Sequence, residues 1–162
     1  MLFRSQLLGI LKLGLDSAGQ QDDPNFTFKG ELIDRLGDDL ITFEKAPKGR
    51  TLTELNNPPS LVLLSSPKPE RLVNGLRALM LMSQMQGGAG GIEVRDFLGR
   101  KFYSARMPAP GGRSTRTSLA AGTDYVAISS SATLVEEFLR HTEGSGKTLK
   151  DFPGLAPAAE RI

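Results

Sequence analysis

A chain of 162 residues, 39% hydrophobic and 23% charged, has the length and composition of one ordinary domain able to bury a core, and residues 1–162 read as that single domain. Its 20 Lys and Arg against 18 Asp and Glu leave a net charge of +2, which excludes the concentrated basic field that drives nucleic-acid binding, so no nucleic-acid partner is expected. The chain has no Cys and one His, His141, which excludes disulfides, thiolate chemistry and multi-histidine zinc sites; no metal and no cofactor is expected.

The N-terminal "MLFRSQLLGILKLGLDSAG" has the outline of a signal peptide, with Arg4 before an apolar stretch and the small residues Ser17, Ala18 and Gly19 after it. Lys12 interrupts that stretch, and Leu7, Leu8, Leu11 and Leu15 recur on one helical face. The spacing predicts an amphipathic helix over residues 1–20. No segment reaches the length of a membrane span. After the polar linker "DSAGQQDDPN", the text predicts a short helix from Glu31 to Leu36, stopped by Gly37, and a strand from Leu40 to Lys45. "PKGRTLTELNNPPS" reads as a loop, and Leu61-Val62-Leu63-Leu64 as a strand buried on both faces.

The clearest helix covers residues 69–85, with Ser66 as a cap, Pro67 and Pro69 near the first turn, and Leu72, Val73, Leu76, Leu79 and Met80 as its apolar stripe. Met80, Met82 and Met85 suit gap-filling at the core. Beyond "QGGAGG", "IEVRDFLGRKFYSARM" predicts two strands around a turn at Gly99, "APGGRSTRT" a flexible loop, and "SLAAGTDYVAISS" two more strands around Gly122-Thr123-Asp124. A last helix over 132–142 carries Leu134, Val135, Phe138 and Leu139 on its apolar side. "VLLSSPKPERLV" and "VAISSSATLV" each run from an apolar strand through Ser-Ser into a helix, a strand–helix unit used twice. Together these elements predict an α+β fold: a mostly antiparallel sheet of five or six strands, the helices 69–85 and 132–142 on one face, and an N-terminal amphipathic helix.

"GSGKT", residues 144–148, ends like a P-loop. The position of that motif's first glycine is His141, however, and a helix rather than a buried strand precedes it. Gly144 and Gly146 therefore read as a left-handed helix exit. His141 falls in the last turn, where its imidazole suits the helix C-terminal partial charge, and no Gly-x-Ser-x-Gly elbow supplies a nucleophile for it. Arg113 and Arg116, in a loop rich in Gly, Ser and Thr, could hold phosphate or sulfate by charge-assisted bonds. The carboxylate pairs 22–23, 38–39 and 136–137 are sequence neighbours that point to different faces, so none forms an acid/base couple.

The succession "FKGELIDRLGDDLITFEKA", "SPKPERLVNGLRAL", "FLGRKFYSARM", "SLAAGTDYVAISSSATLVEEFLRH" and "GKTLKDFPGLAPA", over residues 28–157, resembles a bacterial family of often exported, multi-unit proteins that share an α+β domain of unassigned activity. That resemblance implies one unit of a longer cell-envelope or periplasmic protein and supplies no site residue. The shortness of the chain and its unconvincing export signal leave a cytoplasmic setting as the alternative. The expected function is a non-catalytic structural or protein-interaction module, with a protein partner or a second copy of itself. The alternative is an anion- or phosphate-binding domain that brings Arg113, Arg116, Lys147 and His141 to one small anionic ligand.

Overall fold

The central strands carry apolar side chains at consecutive positions, and such strands need cover on both faces. The computed structural model, which describes residues 2–20, 23–45, 58–85, 90–109 and 113–144, supplies that cover. The elements in chain order are α1 (Leu2–Gln20), α2 (Phe28–Glu31) with a 3-10 turn at Ile33–Arg35, β1 (Leu40–Glu44), β2 (Ser60–Ser65), α3 (Pro69–Met85), β3 (Glu93–Phe97), β4 (Arg100–Ala109), β5 (Arg113–Ala121), β6 (Tyr125–Ser129) and α4 (Ala132–Thr142). All six strands form one antiparallel sheet in the order β1-β2-β6-β5-β4-β3, so the α+β class and the strand count are as expected.

The placement of the helices differs from the expectation of one covered face. Tyr103, Ala105, Leu119, Ala121 and Val126 join Leu72, Val73 and Met80 of α3 in one core. Their strand neighbours Phe102, Ala120 and Ala127 join Leu61 and the α4 residues Leu134, Val135 and Leu139 in another. Because successive strand residues point to opposite sides, α3 and α4 sandwich the sheet between them. Both strand–Ser–Ser–helix stretches form as expected, but they send their helices to opposite faces. Each begins with a side-chain turn: Ser66 Oγ accepts from Lys68 N at 3.1 Å, and Ser129 Oγ from Ser131 N at 2.9 Å.

On the α3 side the helical layer is doubled. α1 lies on α3, burying Leu15 and Ala18, with Gly14 against the end of Met82. α2, capped by Thr27 Oγ1 accepting from Gly30 N at 3.3 Å, reaches the backbone of α3 at Gly75. A Cβ at that glycine would come to 3.0 Å from the Glu31 carbonyl oxygen and from Leu32 Cβ, a tight contact that a larger residue would relieve only by pushing α2 back by a few tenths of an ångström. The half-exposed Arg71 then donates to the buried Glu31 carboxylate at 2.7 Å, and this hydrogen bond, with the carboxylate's charge, holds the guanidinium above its usual pKa. On the other face α4 is fastened at its flank. The Arg95 guanidinium lies 4.1 Å from the centre of the Phe102 ring and pairs with Glu136, while Arg140 covers Phe97 at 5.2 Å.

Two further readings need adjustment. The stretch read as a flexible loop, 109–117, is mostly strand: Arg113 to Thr117 pair with Ala105 to Ala109, because its alternating Ser, Thr and Arg fit a half-solvated ladder. The Leu61–Leu64 run buries Leu61 fully, and the next three residues only in part.

Candidate functional site

Each end of an open sheet leaves a row of unpaired backbone donors and acceptors, and natural edge strands guard that row with charges, proline or a covering element. The β3 edge is guarded in this way: its five residues include Glu93, Arg95 and Asp96, with the Lys101 ammonium 2.9 Å from the Asp96 carboxylate. The β1 edge is not. Leu40, Ile41 and Phe43 are 66%, 44% and 51% exposed, and Glu44 is the only charge in the strand. Ile33 and Leu36, just ahead of it, are exposed as well. Among the described residues no strand pairs with the outer side of β1.

Backbone phase determines what that edge offers. Ser65 N donates to the Asp39 carbonyl at 3.0 Å, and Lys45 N donates to the Pro59 carbonyl at 2.9 Å. Residues 39, 41, 43 and 45 therefore spend their backbone groups on β2, and Leu40, Thr42 and Glu44 present N–H and C=O outward. The side chains divide the other way. Ile41 and Phe43, opposite Leu63 and Leu61, continue the α4-side core past the sheet's end, whereas Leu40 lies opposite Leu64 on the α3 side. Charges flank this apolar centre. Lys45 Nζ bridges Glu137 of α4 at 2.8 Å, and Asp39 Oδ2 accepts from the Tyr125 hydroxyl at 3.4 Å.

That last contact is measurable. Partial burial, then the negative charge of Asp39 and the hydrogen bond to it, raise the Tyr125 phenol above its ordinary pKa of about 10. A folded state that holds the proton more tightly than the unfolded chain gains stability that is fully present below pH 10 and is lost as pH rises through the raised value. Ultraviolet titration of tyrosinate is expected to show one phenol ionising late, and Asp39→Asn to bring it earlier. An unchanged curve in that variant would remove Asp39 as a cause.

Of the four residues expected to gather on an anion, only Arg116 and His141 have described side chains, and those two lie apart. Arg113 opens β5, with its side chain outside the described set, and Lys147 lies outside the described residues altogether. Arg116 stands in β5 opposite Arg106 and forms an ion pair with Glu93 of β3. His141 is exposed in the last turn of α4, and its carbonyl accepts from Gly144 N at 3.2 Å, with Gly144 in the left-handed exit expected of it (φ 76°). Arg116 and His141 lie apart along the length of β5. Two residues on from His141, Glu143 reaches Arg100 at 3.8 Å, and Arg100 donates to the Gly122 carbonyl at 3.0 Å. Arg116 lies six residues back along β5 from Gly122, roughly 20 Å at 3.3 Å per residue.

Beside Arg100 is a hollow of about 450 Å³ bordered by Glu70, Asn74, Leu98, Tyr103 and Glu143. The guanidinium there is engaged by the Ala121 and Gly122 carbonyls and flanked by Glu70 and Glu143, which makes it a tie between two turns and two helix ends. The buried Ser104 and Ser118 hydroxyls, missed in the sequence, bond each other at 2.9 Å across β4 and β5, so they act within the fold. Among the described residues no group of three acidic or histidine side chains could hold a metal ion, and no helix is long and apolar enough to cross a membrane. No known protein family, curated protein or solved structure matches the chain.

Proposed function

We propose that this chain is a non-catalytic protein-interaction module that works through the free edge of β1. The observation that carries the reading is the contrast between the sheet's two ends, a β3 with three charged residues and a largely apolar β1 with Glu44 as its single charge, whose outward N–H and C=O groups have no partner among the described residues. A folded protein retains such an edge at the risk of aggregation, and recruitment of an added strand is the use that repays the risk. The separation of Arg116 from His141 along β5 lends no support to a shared anion site.

The test is an edge-blocked variant, Ile41→Lys with Phe43→Lys, used as affinity bait beside the native chain in an extract of the cells that make it. Both positions are about half exposed, so the pair is expected to cost about 1–3 kcal/mol and to leave the fold intact by circular dichroism. Protein held by the native chain and released by the variant supports an interaction module. Equal retention by the two chains, or several degrees of stabilisation by a nucleotide or phosphate ester, would overturn it.

A further inference from the structure

We infer that the occupant of the β1 edge is a second copy of the same strand, paired antiparallel about a two-fold axis at Thr42; this rests on the reading of β1 as an interaction edge. The backbone narrows the choice first. Only Leu40, Thr42 and Glu44 present outward groups, so hydrogen-bonded pairs between copies must join even-numbered residues. Three two-fold registers give useful overlap, centred on residue 41, 42 or 43.

The side chains then separate the three. Centring on Ile41 sets Phe43 against Asp39 and Glu44 against Asp38, an apolar ring facing a charge and two like charges facing each other. Centring on Phe43 sets Ile41 against Lys45 and leaves Leu40 beyond the partner strand. Centring on Thr42 overlaps all five residues of β1. Thr42 meets Thr42, and Leu40 meets Glu44 in hydrogen-bonded pairs. Ile41 meets Phe43 in the pair class that brings side chains closest, an aromatic against a β-branched residue. Beyond them Asp39 meets Lys45 of the second copy, opposite charges at both ends of the ribbon. Hydrogen-bond phase thus limits the pairing to even-numbered residues, and the Ile41–Phe43 match and the Asp39–Lys45 charges then favour the register centred on Thr42.

In that register Ile41 and Phe43 of the two copies extend the α4-side cores, through Leu61 and Leu63, into one layer across the axis. Two six-stranded sheets become one continuous sheet. The interface is isologous, so it closes at a dimer and leaves the charge-guarded β3 edges outermost.

The absence of cysteine makes the test direct. In a hydrogen-bonded antiparallel pair the Cα atoms lie about 5.5 Å apart, within the range a disulfide spans. Thr42→Cys is therefore expected to form a covalent dimer under mild oxidation, and Val94→Cys on the opposite edge to stay monomeric. Light scattering over a wide concentration range is expected to show a reversible monomer–dimer equilibrium for the native chain. Thr42→Pro, which removes an outward N–H and no bond to β2, is expected to abolish the dimer and leave the fold intact by circular dichroism. A dimer that survives Thr42→Pro, or that crosslinks through Val94→Cys and not Thr42→Cys, overturns the proposal. A native chain that stays monomeric also overturns it, and two further readouts then locate the failure. Retention of a different protein that Ile41→Lys with Phe43→Lys abolishes leaves the interaction reading standing. Slow amide exchange at residues 40, 42 and 44 of that monomer shows the edge covered by the chain's own residues and removes both.

Discussion

Phe102→Ala is expected to destabilise the protein by about 3–5 kcal/mol, the usual cost of emptying a phenylalanine site in a packed core. Phe102 is 1% exposed and sits in the α4-side core with Leu61, Leu134, Val135 and Leu139. Its ring also meets Phe97 edge-on at 6.5 Å and underlies Arg95, so the truncation removes the platform of the cation that pairs with Glu136 of α4. At about 2–4 °C per kcal/mol for a chain of this size, the thermal midpoint should fall by roughly 6–20 °C. Calorimetry checks it, with Phe102→Leu as the milder comparison. A loss below about 1 kcal/mol would mean that α4 is not packed on this ring.

Leu72→Ala is the counterpart on the other face. Leu72 is fully buried in the α3-side core against Leu119, Ala121 and Val126, and its truncation is expected to cost about 2–5 kcal/mol by urea unfolding. The pairing of the two sites discriminates further. Because the sheet separates them, Phe102→Leu combined with Leu72→Ala should lose the sum of the single losses to within about 0.5 kcal/mol. A coupling well above that figure would place the two side chains in one core and contradict the sandwich.

Much of this architecture was legible in the sequence because its signals are local. The helix bounds at 69–85 and 132–142 follow from apolar spacing, and the turn at Gly99 from glycine's tolerance of a positive φ. The face covered by each helix was harder to read, because it depends on register. Yet the adjacent apolar residues Leu119-Ala120-Ala121 and Val126-Ala127-Ile128 already imply strands buried on both sides. Arg113 to Thr117 passed for a loop because an alternation of Ser, Thr and Arg carries no apolar signal, and only pairing with β4 makes it a strand. The candidate site was legible in its residues and hidden in its context. "LITFE" reads as a strand from its β-branched and aromatic content, but its place at the end of the sheet follows from β2 pairing with β6, a contact that no local pattern encodes.

That pairing also bears on how the chain acquires its fold. β3, β4, β5 and β6 follow one another as a meander with short connections, and β1 and β2 form their own hairpin, so each half is assembled from near neighbours in the chain. A single seam joins them, Leu61 opposite Ser129 through Ser65 opposite Tyr125, across the intervening chain from Ser66 to Asp124. Loop-closure entropy must be overcome there before any contact rewards it, so the seam is expected to form late, and φ-values near zero at Leu61 and Val126 would check it. Until it closes, β2 is as open toward β6 as β1 is toward solvent. The hairpin then exposes two sticky edges at once, and the newly made chain is most prone to mispairing in the interval before the seam zips shut.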